Sequence, residues 1–231
     1  LGAVVTFQDI TQQKEAEAAL RASNEALDAF AHTVAHELNN TLARVVGYAE
    51  LLEQAHNSLS EEQIATALYH ISHNGRQMAE TIQAMLLLAQ VRKQEEIDIV
   101  PLDMGEAVRR AIARLENRIE QRQAQIEVPE TWPPALGYAA WIEEIWVNYL
   151  SNAIKYGGTP PQITVGGSIQ GDHARFWVRD NGQGLTQDEQ AALFTPFKRV
   201  FQGHAKGHGL GLSIVRRIVT RLGGEVGVES A

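Results

Sequence analysis

The sequence runs to 231 residues, 44% of them hydrophobic and 21% charged, a composition that can bury a core and excludes a disordered chain. Cysteine is absent, so disulfides, thiol nucleophiles and cysteine–zinc sites are excluded. Acidic residues outnumber basic ones 28 to 20, a formal charge of −8 that argues against nucleic acid or an anionic membrane as partner.

At roughly 100–200 residues per domain the chain holds one or two domains. No apolar run reaches the ~18–20 residues that span a bilayer and no signal peptide opens the chain, so a cytoplasmic location is expected for this stretch, compatible with a membrane anchor upstream in the full-length protein. Residues 1–11, LGAVVTFQDIT, read as a short strand: Val4, Val5 and Phe7 suit a pleated surface, and Asp9 or Thr11 can cap a following helix. Because it starts inside a strand-like segment, the chain reads as a fragment of a longer protein.

Residues 12–93 carry helical periodicity. Leu27, Ala31, Val34, Leu38, Leu42, Val45, Ala49 and Leu52 alternate steps of four and three, a near-heptad seam with one irregular step. Ser58-Leu59-Ser60-Glu61 and Ser60-Glu61-Glu62-Gln63 are two candidate capping boxes for a second helix. That helix has its own seam: Ile64, Leu68, Ile71, Gly75, Met78, Ile82, Met85 and Ala89. Two single-seam helices bury too little surface alone, and a symmetric dimer of two hairpins, an antiparallel four-helix bundle, solves this. At about 1.5 Å per residue the first helix reaches ~60 Å.

The charged stretch Arg92-Lys93-Gln94-Glu95-Glu96 marks the expected hinge. Residues 94–231 change character. Apolar runs at 97–100, 126–128, 163–165 and 176–178 read as strands, with helices at about 104–122, 139–156 and 209–222. This order suggests an α/β sandwich, with helices layered on one sheet.

Four stretches carry chemistry. In Ala35-His36-Glu37-Leu38-Asn39-Asn40, a seam through Ala31, Val34 and Leu38 points His36 into solvent. Glu37 can accept the Nδ1 proton and leave Nε2 as a nucleophile, while Asn40, one turn on, can hold a phosphoryl oxygen or a water. An ordinary solvated helix face would show the same letters. His32 and His36 stand at i and i+4, but Asn40 fills the second histidine position of H-E-x-x-H, so a zinc site is not expected.

In the helix Trp141–Tyr156, Glu144, Asn148, Asn152 and Lys155 recur on one face, followed by Tyr156. Asparagine carbonyls are hard oxygen ligands for Mg²⁺, and lysine offers a point charge to phosphate. Asp180-Asn181-Gly182-Gln183-Gly184 follows a strand, and Asp180 can accept from the exocyclic amine of a purine. Gly207-His208-Gly209-Leu210-Gly211-Leu212 opens the last helix, where free N–H groups favour anions. It is neither a P-loop nor a dinucleotide fingerprint. Phe194–Arg199 and the loop after it have the length and composition of a lid.

Taken in order, these stretches resemble the H, N, first glycine, F and second glycine boxes of the two-component sensor histidine kinases, over about residues 12–231. The resemblance implies a dimerisation and histidine-phosphotransfer hairpin at 12–93 and a Bergerat-type ATP-binding domain at 94–231. The opening GAVVTFQDIT resembles the exit of a PAS sensor domain, which implies a sensor upstream in cis. It further implies that His36 accepts phosphoryl from ATP, that Glu37 is its general base, and that Asn40 orients phosphoryl or a water in the reverse phosphatase reaction. Asn148 would ligate Mg²⁺; Asn152, Lys155 and Tyr156 would flank the nucleotide. Asp180 would bind adenine in a pocket shaped by Gly182 and Gly184. Lys198 and Arg199 would lie beside the lid, and Gly207, Gly209, Leu210, Gly211 and Leu212 would form the lid's end and the phosphate-facing helix start. The phosphoryl group would pass to an aspartate of a response-regulator receiver domain.

Three departures from the family pattern stand out. Thr41 replaces a common proline that bends the helix past the histidine. Gly137-Tyr138-Ala139 replaces an acidic residue before the N box. The chain stops at Ala231, where the family usually adds a strand. Two alternatives stay open: an ATPase of the same nucleotide fold without a phosphohistidine intermediate, with Glu144 activating water, and a catalytically silent dimer scaffold.

Overall fold

The computed structural model describes residues 11–55, 58–93, 97–195 and 209–230. The expected opening strand lies outside them. The chain divides into two compact units, residues 1–79 and 80–231.

The first unit is built on a helical hairpin of α1 (Thr11–Ala55) and the start of α2 (Glu61–Lys93). At 45 residues α1 is about 67 Å long. It ends where the Ser58 and Leu59 amides and the Ser58 hydroxyl all donate to the Ala55 carbonyl. Of the two candidate capping boxes, the second forms: the Gln63 amide donates to Ser60 Oγ at 3.2 Å and the Ser60 amide to Gln63 Oε1 at 2.9 Å. Thr41 leaves α1 unbroken, because its hydroxyl donates to the Glu37 carbonyl at 2.9 Å and the backbone keeps its own N–H.

The seam read from sequence divides in the structure. Val34, Thr41, Ala67 and Asn74 are buried, spaced seven apart on each helix. Two of these four are polar, and the Asn74 amide is satisfied by donating to the His70 carbonyl. Tyr48 stacks on His70 with ring centroids 4.6 Å apart. Leu42 and Leu68, expected in the seam, stay 45% and 52% exposed. A single hairpin offers one inward stripe per helix, and among the described residues nothing covers Leu42 and Leu68.

In the second unit, β1 (Val100–Pro101) pairs antiparallel with β3 (Leu136–Gly137). Of the strand expected at 97–100 only Val100 pairs, with Pro101 beside it, and residues 97–99 are in no strand. The helix expected at 104–122 is two: α3 (Met104–Arg114) and α4 (Glu116–Arg122). Leu115 joins them with φ −106° and ψ 4°, a local turn at a side chain buried in the core. Asp103 caps α3 by accepting from the Glu106 amide.

The main sheet runs β2 (Gln125–Glu127), β4 (Gln162–Gln170), β5 (His173–Asp180), with β2 parallel and β5 antiparallel to β4. Against it packs α5 (Ala139–Tyr156), with α3 beside it. Their shared core includes Val108, Ala111, Trp146, Leu150, Ile163 and Val165. The Trp146 indole N–H donates to Met104 Sδ at 3.0 Å, and Trp132 and Phe176 complete an aromatic cluster around it. Two short elements follow, α6 (Gln187–Ala192), which Thr186 and Glu189 cap reciprocally, and α7 (Gly211–Arg221), which packs on α5. This is the expected helical segment followed by an α/β sandwich. Among the described residues, no helix is long and apolar enough to cross a membrane.

Candidate functional site

The first part of the site is on α1. His36 is exposed, as the seam requires, and its Nδ1 lies 3.1 Å from Asn40 Nδ2. The partner recorded at Nδ1 is thus Asn40 rather than the adjacent Glu37. Residues four apart share a helix face, whereas neighbours diverge by about 100°.

The second part is in the sandwich, and α5 carries it. Trp141, Ile145, Trp146, Leu150, Ala153 and Ile154 bury one side of α5 and fix its rotation. On another side, the Asn148 amide nitrogen donates to the Glu144 carbonyl at 2.8 Å. That bond turns Asn148 Oδ1 outward toward the start of α7. A Cβ at Gly211 would collide with this oxygen, so the absence of a side chain there lets the helix N-terminus approach α5. Among the described residues, no side chain caps the start of α7. Its first amides and a hard amide oxygen therefore face one place, a donor set that suits a phosphate–Mg²⁺ group.

The turn after β5 closes on the other end of α5. Asp180 Oδ1 accepts from the Gly182 amide at 2.8 Å, and a Cβ at Gly182 would lie 2.7 Å from both that oxygen and the Tyr156 carbonyl. Asp180 itself stays exposed. Lys155 Nζ donates to the Tyr156 hydroxyl at 2.8 Å, and Asn152 is half-buried one turn before. Gly184 and Gly209 adopt φ of 78° and 67°. Leu210 is buried in the N-cap position of α7, its carbonyl accepting from Ser213 Oγ, and Leu212 is half-buried. Within the second unit the structure thus gathers Asn148, Gly211, Asp180 and Gly182 around α5. Lys198, Arg199 and Gly207 lie outside the described residues.

Two supports were not singled out from sequence. Asn181 Oδ1 accepts from the amides of Gly158 and Gln162, and its Nδ2 donates to the Pro160 carbonyl, so this side chain braces the loop between α5 and β4. Its signal was present in the Asp-Asn-Gly turn but pointed only to the turn. Arg114, in the last turn of α3, donates through Nη1 to Glu144 at 2.6 Å and Glu143 at 3.0 Å. No local pattern joins residues 29 and 30 apart. Tyr149 is largely buried, and desolvation pushes its hydroxyl up to about 12.

Two domain families match the chain. Residues 26–94 match the His Kinase A (phospho-acceptor) domain, and residues 137–231 match the histidine kinase-, DNA gyrase B-, and HSP90-like ATPase family. The phytochrome-like protein Cph1 of Synechocystis is 31% identical over 91% of this chain and 28% of its own length. The methanogenesis regulatory histidine kinase FilI of Methanothrix harundinacea is 29% identical over 91% of this chain and 24% of its own length. The chain therefore spans about a quarter of the length of these relatives. Among solved structures, histidine kinase ThkA in complex with response regulator protein TrrA matches 95% of this chain and 62% of its own, with TM-score 0.70 and 17% identity, a likeness of fold. Full-length ShkA in complex with AMPPNP matches 86% of this chain and 42% of its own, with TM-score 0.59 and 27% identity.

Proposed function

We propose that this chain, which belongs to the sensor histidine kinases by its paired phospho-acceptor and ATPase domains, transfers the γ-phosphoryl of ATP to His36 and from there to an aspartate of a response-regulator receiver domain. The observation that carries the reading is the outward Asn148 oxygen facing the uncapped, side-chain-free start of α7, in a chain that also presents an exposed His36.

In this reading residues 12–93 form the phosphotransfer hairpin and residues 94–231 hold the nucleotide. Asp180 accepts the adenine amine, and Gly182 and Gly184 let the turn close over the ring. Asn152, Lys155 and Tyr156 flank the nucleotide, with Lys198 and Arg199 beside the phosphates. The backbone from Gly207 through Gly209, Leu210, Gly211 and Leu212 gives the phosphates their N–H donors. Asn148 holds Mg²⁺, which when bound neutralises charge on the phosphate oxygens. The His36 Nε2 lone pair attacks the γ-phosphorus, the bond to the β-phosphate oxygen breaks, and ADP leaves. Glu37 takes the Nδ1 proton as the Nε2–phosphorus bond forms, leaving a neutral phosphoimidazole, and returns it when the phosphoryl departs; Asn40 orients phosphoryl or, in the reverse direction, water.

The exposed Leu42 and Leu68 support a homodimer through the hairpin. A sensor domain upstream in cis would set how the hairpin packs, and ATP and a receiver domain place the reaction in the cytoplasm. The ATPase alternative leaves the phospho-acceptor match at 26–94 without a use, and the scaffold alternative leaves the close approach of Gly211 to Asn148 Oδ1 without one. Incubation of the chain with γ-labelled ATP and Mg²⁺ tests the reading: label joins the chain, moves to a receiver domain, and is absent from the His36→Gln variant. Labelling of His36→Gln at the wild-type level would refute it.

A further inference from the structure

Glu144 stands one turn before Asn148 on the same side of α5, near the place where the γ-phosphate would lie in the reading above, on which this inference rests. A carboxylate there can take a proton from water. In that event the water oxygen attacks the γ-phosphorus, the bond to the β-phosphate oxygen breaks, the water proton passes to Glu144, and ADP and phosphate leave. A kinase that did this would lose the phosphoryl group before histidine received it.

Glu144 is engaged elsewhere. One guanidinium nitrogen, Arg114 Nη1, lies 2.6 Å from its Oε1 and 3.0 Å from Oε1 of the neighbouring Glu143. These carboxylates are about a quarter exposed, so water competes only in part for the bonds. Arg114 is held from behind, because Val108, Ala111 and Leu115 of the same segment are buried in the core. Desolvation works against its charge, but the hydrogen bonds it donates to Glu144 and Glu143, with the charge of both carboxylates, together outweigh it and raise the guanidinium above its usual range.

We propose that Arg114 is a positioning residue that draws the Glu144 carboxylate toward α3 and withholds it from water at the nucleotide, so that ATP is spent on histidine phosphorylation and not on hydrolysis.

The test measures phosphate release from ATP, and binding of a fluorescent ATP analogue, in the 231-residue chain carrying His36→Gln. Adding Arg114→Ala, or Arg114→Met, which keeps the aliphatic stem, is expected to raise hydrolysis roughly tenfold or more. Arg114→Lys should raise it less, and Glu144→Gln should return the Arg114 variants to the parent rate. Hydrolysis that does not rise, a rise that survives Glu144→Gln, or loss of analogue binding in both truncations would overturn the proposal, the last by making Arg114 a strut of the pocket. Failure of the kinase reading shows separately, as absence of phosphohistidine in the chain with His36 intact.

Discussion

Asn40 Nδ2 lies 3.1 Å from His36 Nδ1, one helical turn away on the exposed side of α1. An amide is a donor at one end and an acceptor at the other. With Nδ2 against the ring, Nδ1 accepts and Nε2 carries the proton. Half a turn of the amide puts Oδ1 against Nδ1–H and leaves the Nε2 lone pair outward, ready to attack. Asn40→Ala should therefore slow phosphorylation of His36 several-fold, about the worth of one hydrogen bond of ~1 kcal/mol. Asn40→Asp, an acceptor only, should shift the ring toward the Nδ1–H tautomer. Nitrogen-15 spectra of the His36 ring check this, and identical spectra for wild type and both variants would remove the role given to Asn40.

The contact between Asn148 and Gly211 makes a second prediction. A methyl at position 211 would collide with Asn148 Oδ1, the oxygen proposed to hold Mg²⁺. Gly211→Ala should weaken binding of ATP with Mg²⁺ roughly tenfold or more, a loss of ~1.4 kcal/mol or greater. Calorimetric titration measures it, and unchanged affinity would mean that this approach does not shape the site.

Leu42 and Leu68 stay about half exposed on the hairpin. Burial of a leucine side chain is worth roughly 1.5–3 kcal/mol, and twofold symmetry counts each position twice. Leu68→Glu should lower the mass in light scattering from twice 25.5 kDa to 25.5 kDa at micromolar concentration. A chain of 25.5 kDa before the substitution would contradict the dimer.

Tyr149 gives a pH dependence. Its hydroxyl is pushed up to about 12 by desolvation, against an ordinary value of about 10. The folded chain therefore keeps this proton where the unfolded chain loses it. Stability from Tyr149 is full below pH 10 and declines as pH rises from 10 toward 12, by roughly 2–3 kcal/mol in all. Over that interval, denaturant unfolding should show wild type losing stability relative to Tyr149→Phe. A constant difference would mean that Tyr149 ionises equally in both states.

Much of this was legible in the sequence, for reasons of periodicity. The steps of four and three drew both hairpin helices and put His36 on the outside, and the apolar face of α5 fixed where Asn148 points. What was not legible depends on long-range registry. The inner layer of the hairpin holds Thr41 and Asn74, while Leu42 and Leu68 face outward, because which stripe faces the partner helix depends on how the two helices rotate against each other. The break at Leu115 interrupts an otherwise unbroken helical pattern to seat one side chain in the core. The Arg114 contacts to Glu143 and Glu144 require α3 and α5 to lie side by side, which no local signal near either helix announces.

The central claim is that ATP phosphorylates a ring nitrogen of one exposed histidine. Its most direct test is the chemistry of the label itself, with γ-labelled ATP and Mg²⁺, followed by acid or alkali and mapping of the labelled peptide. The account predicts a label that survives alkali, is lost in acid, and maps to His36. A label that survives acid, or that maps to a peptide without His36, would contradict it.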